Sequence, residues 1–295
     1  MFELRQYLLL FLVATIWGSG FVAQKLGLSY ISPFAFTFYR TLIGGLCLIP
    51  LIMFLSKVAH KKGTTLRCSS KRKLIIGSVA CGFCLFISES FQQFGLVYTD
   101  VNKASFITSL YMIFVPLIGI FLGHKITKKI VLCVVLSFIG LYLFTVKGSL
   151  TFEVGDLLVL ICALGFAFHI LVIAYFINYV DGVMLSCGQF FCASCFGFIL
   201  MLITGAPAIE DVYKALLPLL YAGALSNGIA YTLQIVAQRG ISPTIASLIM
   251  SLESVMGAIF GVTFLSEAMS RQEIIGATLM FGAVILTQIK IKRLD

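Results

Sequence analysis

Apolar residues in this chain fall into long, nearly unbroken runs rather than alternating with polar ones. The runs cover 8–24, 34–54, 74–94, 104–122 and 130–146, then 157–175, 183–203, 216–236, 245–265 and 274–289. About 20 apolar residues, wound as a helix, cross the hydrocarbon of a bilayer. A helix also satisfies its own backbone hydrogen bonds where there is no water. The pattern therefore predicts an all-α membrane protein with ten transmembrane helices.

Composition agrees with that reading. Apolar residues make up 60% of the chain and charged residues 11%, against roughly a quarter charged in ordinary soluble domains. Little sequence lies between the runs, so a soluble catalytic domain has no place and the chemistry must lie within the bilayer. Arg5 ahead of the first run and Gly18, Ser19 and Gly20 near its end give it some signal-peptide character. The repeat described below needs that segment, which is therefore read as the first spanning helix. All nine cysteines except Cys68 fall inside apolar runs, where they read as packing residues rather than disulfide partners.

The net charge of +9 reads as topology rather than as a nucleic-acid surface, because the basic residues occupy particular loops. With the N-terminus inside, fifteen lysines and arginines fall on the cytoplasmic side. Seven of these sit between Lys57 and Lys73. Only Lys25, Lys103, Lys147, Lys214 and Arg271 face outward. The positive-inside rule then places the chain in the cell inner (plasma) membrane as a multi-pass protein with both termini cytoplasmic.

The chain also matches itself. A shift of 142 residues lays Ala104, Ser105, Ile107, Ser109 and Leu110 on Ala246, Ser247, Ile249, Ser251 and Leu252. The same shift pairs Gln92 with Gln234, Gly119 with Gly261 and Gly140 with Gly282. Nearer the N-terminus a shift of 149 pairs Arg40 with Gln189. Two halves, 1–148 and 149–295, each hold five helices. Five being odd, the halves enter the membrane from opposite sides, as in the inverted repeats of secondary transporters, whose substrates bind near the midplane between the repeats.

Trp17-Gly18-Ser19-Gly20-Phe21-Val22, Arg40, Leu252-Glu253-Ser254-Val255 and Phe264-Leu265-Ser266-Glu267 together resemble the EamA family, the ten-helix branch of the drug/metabolite transporter superfamily. The resemblance implies a basket-like helical bundle around a central cavity that moves small metabolites, often amino acids, commonly outward. Two positions depart from the family pattern. Ser254 stands where the family often has proline, and His124-Lys125 replaces the acidic end of the first-half motif that would match Glu267.

Charges inside hydrocarbon are costly and mark cavities or partners. Arg40, Glu89, His169 and Glu253 are the four ionisable residues of this kind. Arg40 and Glu89 fall at similar depth, which leaves two roles open: an ion pair, or Arg40 holding a substrate carboxylate. Under the 142-residue shift Glu89 meets Tyr231 and Glu253 meets Tyr111, so each half contributes one Glu and one Tyr in exchanged positions. Glu253 lies mid-helix and is the first candidate for proton coupling, with Glu89 second; a Glu that never titrates is the competing reading. Asn227, Tyr231, Gln234 and Gln238 follow a helical period, as do Glu89, Gln92 and Gln93, and both stripes are expected to face the cavity. Trp17 and His169 near mid-membrane are candidates for its wall. Ser105, Ser109, Ser247 and Ser251 are expected to bond their own backbones and let helices approach. Pro116 and Gly257 are expected as a symmetric pair of weak points, and Gly119-x-x-x-Gly123 and Gly257-x-x-x-Gly261 as packing seams.

Several motifs that look chemical lack their context. The run Gly18 to Ala23 has dinucleotide-fingerprint spacing but follows no strand. Cys81-x-x-Cys84 and Cys192-x-x-Cys195 have no completing ligands in a loop. There is no Walker loop and no H-E-x-x-H segment, so no cofactor or metal is expected and the energy must come from a gradient. The expected function is secondary transport, as an exporter, of small metabolites such as amino acids or related amphipathic compounds by alternating access, with protons as candidate coupling ion. The alternative is an intramembrane enzyme acting on a lipid or polyprenyl substrate, which would need a catalytic cluster at one interface; short loops disfavour a receptor or scaffold.

Overall fold

The computed structural model describes residues 2–61, 70–145, 153–265 and 270–288. The middle of the basic loop, Cys68, Lys147, Glu267 and the basic tail lie outside them. Among the described residues the chain is helical throughout its long segments. In the first half these are α1 (Phe2–Gly27), α2 (Pro33–Lys61), α3 (Lys71–Tyr98), the broken pair α4 (Val101–Ser109) and α5 (Tyr111–Phe121), and α6 (Lys128–Thr145). The second half holds α7 (Val154–Phe176), α8 (Gly182–Thr204), the short α9 (Ile209–Lys214), α10 (Leu216–Leu220), a π-helical segment (Tyr221–Tyr231) and α11 (Thr232–Ala237). It ends with a second broken pair, α12 (Pro243–Met250) and α13 (Glu253–Leu265), and with α14 (Arg271–Gln288).

Seven of these stretches are long and apolar enough to cross a membrane. The other three expected crossings coincide with α6, α12 with α13, and α14, which are not among the seven. The Gly18 to Gly20 segment sits inside α1 rather than at its end, because α1 continues to Gly27.

The main helix contacts join the first half of the chain to the second and recur in matching pairs. The contact of α3 with α7 has its counterpart in α1 against the π-helical segment and α11, and α3 with α8 is mirrored by the π-helical segment with α2. The contact of α1 with α13 is mirrored by α7 with α4 and α5. The remaining two large contacts, α2 with α8 and α6 with α14, join repeat mates to each other.

Close approach at α1 and α13 depends on glycine. A Cβ on Gly18 would lie 2.4 Å from the Glu253 carbonyl oxygen and 2.7 Å from the Gly257 nitrogen. No side chain fits there, so the two backbones touch, and small residues permit such contacts in membranes. Gly123 serves differently. Its φ is +82° and His124 N–H bonds the Gly119 carbonyl at 2.8 Å, which makes it a left-handed helix terminator rather than part of a packing seam.

The breaks lie elsewhere than at Pro116 and Gly257. Pro116 is inside α5 and Gly257 inside α13. The first break is at Leu110 (φ −61°, ψ −12°) and the second begins at Ser251 (φ −61°, ψ −13°). Tightened i→i+3 bonds mark both, Leu110 N–H to the Ile107 carbonyl at 3.1 Å and Leu252 N–H to the Ile249 carbonyl at 3.2 Å. Hydroxyls that bond their own preceding turn bend helices. Ser247 and Ser251 do so, to the Thr244 and Leu248 carbonyls at 2.9 and 2.8 Å. In the first half, proline's missing N–H and its clash with the turn before it act just beyond the break.

Candidate functional site

A small cavity opens between the halves, walled by both. Its first-half wall comprises Trp17, Phe21 and Gln24 of α1, Arg40 of α2, Gln92 of α3, Thr108 of α4 and Tyr111 of α5. The second half supplies Phe166 and Ile170 of α7, Ser226 and Tyr231 of the π-helical segment, Gln234 of α11 and Glu253 of α13.

One pole is built around Arg40, which is 2% exposed. Its Nη2 lies 3.2 Å from Glu89 Oε1, so of the two roles open to Arg40 the ion pair is present. Arg40 Nε and Nη2 both donate to Asn227 Oδ1, at 3.2 and 2.8 Å. Nη1 donates to Gln24 Oε1 at 3.1 Å, and Nη2 reaches Ser226 Oγ at 3.5 Å. Gln24 Oε1 also accepts from Gln93 Nε2 at 2.5 Å. Neither Glu89 oxygen has a partner at hydrogen-bonding angles among the described residues; its hold on Arg40 is electrostatic rather than directional. Such a network keeps both charges in a dry interior at a lower cost than either would bear alone.

The other pole centres on the second break. Glu253 is the first residue of α13 and Tyr111 the first of α5. Glu253 Oε1 accepts from Tyr111 Oη and from Ser109 Oγ, both at 3.3 Å. The positive end of the α13 dipole favours a carboxylate at that point. Beside it, Ser254 is bonded across the halves, accepting from Ser105 Oγ at 2.9 Å, sharing a 2.9 Å bond with Ser109 Oγ and reaching the Ser105 carbonyl at 3.3 Å. Ser105 and Ser109 therefore join two helices, unlike Ser247 and Ser251. A proline at 254 has no hydroxyl and could make none of these bonds.

Aromatic rings close the middle. Tyr231 packs against Trp17 at 4.6 Å between ring centroids, with His169, Phe190 and Phe166 at 5.9, 6.2 and 6.4 Å. The Trp17 Nε1 and Gln234 Oε1 atoms are buried without hydrogen-bond partners among the described residues. Gln92 Nε2 donates to Thr108 Oγ1 at 3.3 Å.

Seven of the expected site residues thus line the cavity: Trp17, Arg40, Gln92, Tyr111, Tyr231, Gln234 and Glu253. Glu89, Gln93 and Asn227 stand behind the wall and hold Arg40 or Gln24 in place. His169 bonds Gln189 at 2.9 Å and supports Tyr231 from outside. Gln238 is buried away from the cavity wall. An α-helical count from Asn227 fails because the chain is π-helical through Tyr231, so residues there do not recur on the α period. Gln24 and Phe21 escaped the sequence reading although Trp17, Phe21 and Gln24 are spaced i, i+4, i+7, the same signal used on other helices. Phe166 and Ile170 carry no signal that separates them from lipid-facing residues.

At the outer end expected from the charge pattern, Asp156 is fully buried. Its Oδ2 meets Lys103 Nζ at 2.6 Å and accepts the Glu153 N–H at 2.8 Å, while Oδ1 accepts from Thr99 Oγ1 at 2.9 Å. Lys25 Nζ donates to the Leu96 and Thr99 carbonyls. These bonds tie α1, α3, α4 and α7 together over the Arg40 pole.

The sequence matches the EamA-like transporter family over residues 4–146 and again over 153–289. An uncharacterized transporter of Archaeoglobus fulgidus is 31% identical over 95% of this chain and 84% of its own length. The uncharacterized transporter YoaV of Bacillus subtilis is 25% identical over 95% of this chain and 96% of its own. A solved protein crystal structure superposes with a TM-score of 0.74 at 18% identity, covering 99% of this chain and 98% of that one, which shows a shared fold.

Proposed function

This chain belongs to the EamA-like transporter family, and from that premise we propose that it is a secondary transporter, exporting small metabolites such as amino acids or related amphipathic compounds. Family membership makes it a multi-pass membrane transporter. The proposal adds ten crossings in two inverted sets of five, a cell-membrane location with both termini cytoplasmic, and alternating access about the cavity. The observation that carries it is the wall of that cavity, to which both broken helices contribute at matching positions, Tyr111 and Glu253. Discontinuous helices at a repeat interface are where secondary transporters bind substrate. Two weakly bonded breaks also give the halves places to bend. Glu253 is the proposed proton-coupling group and Glu89 the second, since a carboxylate in hydrocarbon changes charge at lower cost than it can remain ionised there.

The test is flux. Purified protein in liposomes should carry at least one metabolite from a broad screen, with a rate that saturates; a screen that yields none removes the transport reading. Reporter fusions at each terminus should place both inside.

A further inference from the structure

Charge bookkeeping in the cavity points to a narrower class of solute. We propose that the site selects a solute bearing a single positive charge, its ammonium group seated against Glu253 beside the rings of Trp17 and Tyr231. This rests on the reading of the cavity as the substrate site and names what that site prefers.

Arg40 and Glu89 cancel each other across 3.2 Å, and Arg40 spends its donors on Asn227, Gln24 and Ser226. A substrate carboxylate gripping it through two N–H groups would have to displace at least one partner that already holds the guanidinium. Among the described residues Glu253 has no cationic partner. Its described hydrogen bonds are two hydroxyl contacts, each 3.3 Å long. The titratable groups facing it are Tyr111 of α5, Tyr231 of the π-helical segment and Cys162 of α7, and none is a cation. Glu253 is therefore the one carboxylate of the lining without a described cation beside it, and an ammonium is the group that balances its ionised form. An ammonium donates short, charge-assisted bonds to a carboxylate and is attracted to aromatic faces, which Trp17 and Tyr231 supply 4.6 Å apart. The unpartnered Gln234 Oε1 is a further acceptor on the same wall. Phe166 and Ile170 suit an apolar body.

The chain contains a single tryptophan, and it lines the cavity, so its fluorescence reports occupancy. Full-length protein in nanodiscs is titrated with three solutes that share one hydrocarbon body: 3-methylbutylamine, leucine and 4-methylpentanoate. Proteoliposome flux of the same three is measured alongside. The amine should give a saturable change, with leucine weaker by about tenfold or more and the anion weakest. Glu253→Gln should weaken amine binding about tenfold while Glu253→Asp retains it, and Trp17→Phe should abolish the signal. Leucine or the anion binding as tightly as the amine overturns the inference while leaving the cavity as the substrate site. Undiminished amine binding by Glu253→Gln overturns it as well. If Glu253→Gln does not fold, the ranking of the three solutes on wild-type protein decides. Silence from all three in both assays overturns the inference, while flux of another metabolite that also changes the Trp17 fluorescence leaves the cavity as the substrate site.

Discussion

Tyr111 and Glu253 are repeat mates that touch: the tyrosine hydroxyl donates to the carboxylate at 3.3 Å, and each residue is the first of the half-helix that follows a break. In the proposed inverted-repeat arrangement a symmetry axis passes close to such a pair. The contact is therefore one that a relative movement of the halves would strain early, and its length leaves it weak.

Removing that hydroxyl tests its contribution. Tyr111→Phe should lower stability by about 0.5–1.5 kcal/mol, the usual net value of one hydrogen bond, read from detergent-solubilised protein by thermal unfolding. If Glu253 couples protons, wild-type flux will vary with pH across the neutral range and Glu253→Gln flux will not. Equal pH profiles for wild type, Glu253→Gln and Glu89→Gln would make both carboxylates structural.

Arg40 and Glu89 should show strong coupling. Either Arg40→Gln or Glu89→Gln alone leaves a buried charge unmatched and should cost about 3–5 kcal/mol. The double variant should recover much of that loss, and a double-mutant cycle on unfolding measures it. Additive losses would mean that the pair contributes through packing alone.

The α1 crossing predicts a sharp contrast between two glycines. Gly18→Val must push α1 from α13, since even a Cβ lies 2.4 Å from the Glu253 carbonyl; flux and thermal stability should both fall severely. Gly282→Ala meets nothing within 4 Å and should be neutral or stabilise α14 by up to about 1 kcal/mol.

Charges inside hydrocarbon are so few that Arg40, Glu89 and Glu253 could be picked from the sequence, and the 142-residue shift brought Tyr111 to Glu253 without any coordinates. What sequence could not supply was the path of the backbone at the breaks. Pro116 is the conspicuous helix breaker, yet the chain yields at Leu110, where ordinary apolar and hydroxyl residues carry no distinctive pattern. Nor could it separate residues that touch the cavity from those one layer behind. Asn227 and Gln93 are as polar as Gln92, and only the direction in which each helix turns decides which of them faces the cavity. Gln24 was legible in principle from its spacing to Trp17, but it closes an apolar run and reads as a boundary.

The cluster around Asp156 makes a further prediction. Asp156→Ala removes the acceptor for Lys103, Thr99 and the Glu153 N–H together and should cost about 1.5–3 kcal/mol, as expected for hydrogen bonds to a charged group. Lys103 should then react faster with a membrane-impermeant amine reagent added from outside. Unchanged reactivity would show that these bonds do not hold the outer end closed.

The wide turns between Tyr221 and Tyr231 make the phase of one helix a property of local residue count. In α geometry each residue turns about 100°, so deleting one residue between Ser226 and Tyr231 would leave Arg40 its serine while swinging the tyrosine and Gln234 away from the cavity. Gaining or losing one residue there would re-aim Tyr231 and Gln234 of the cavity wall without substituting either of them.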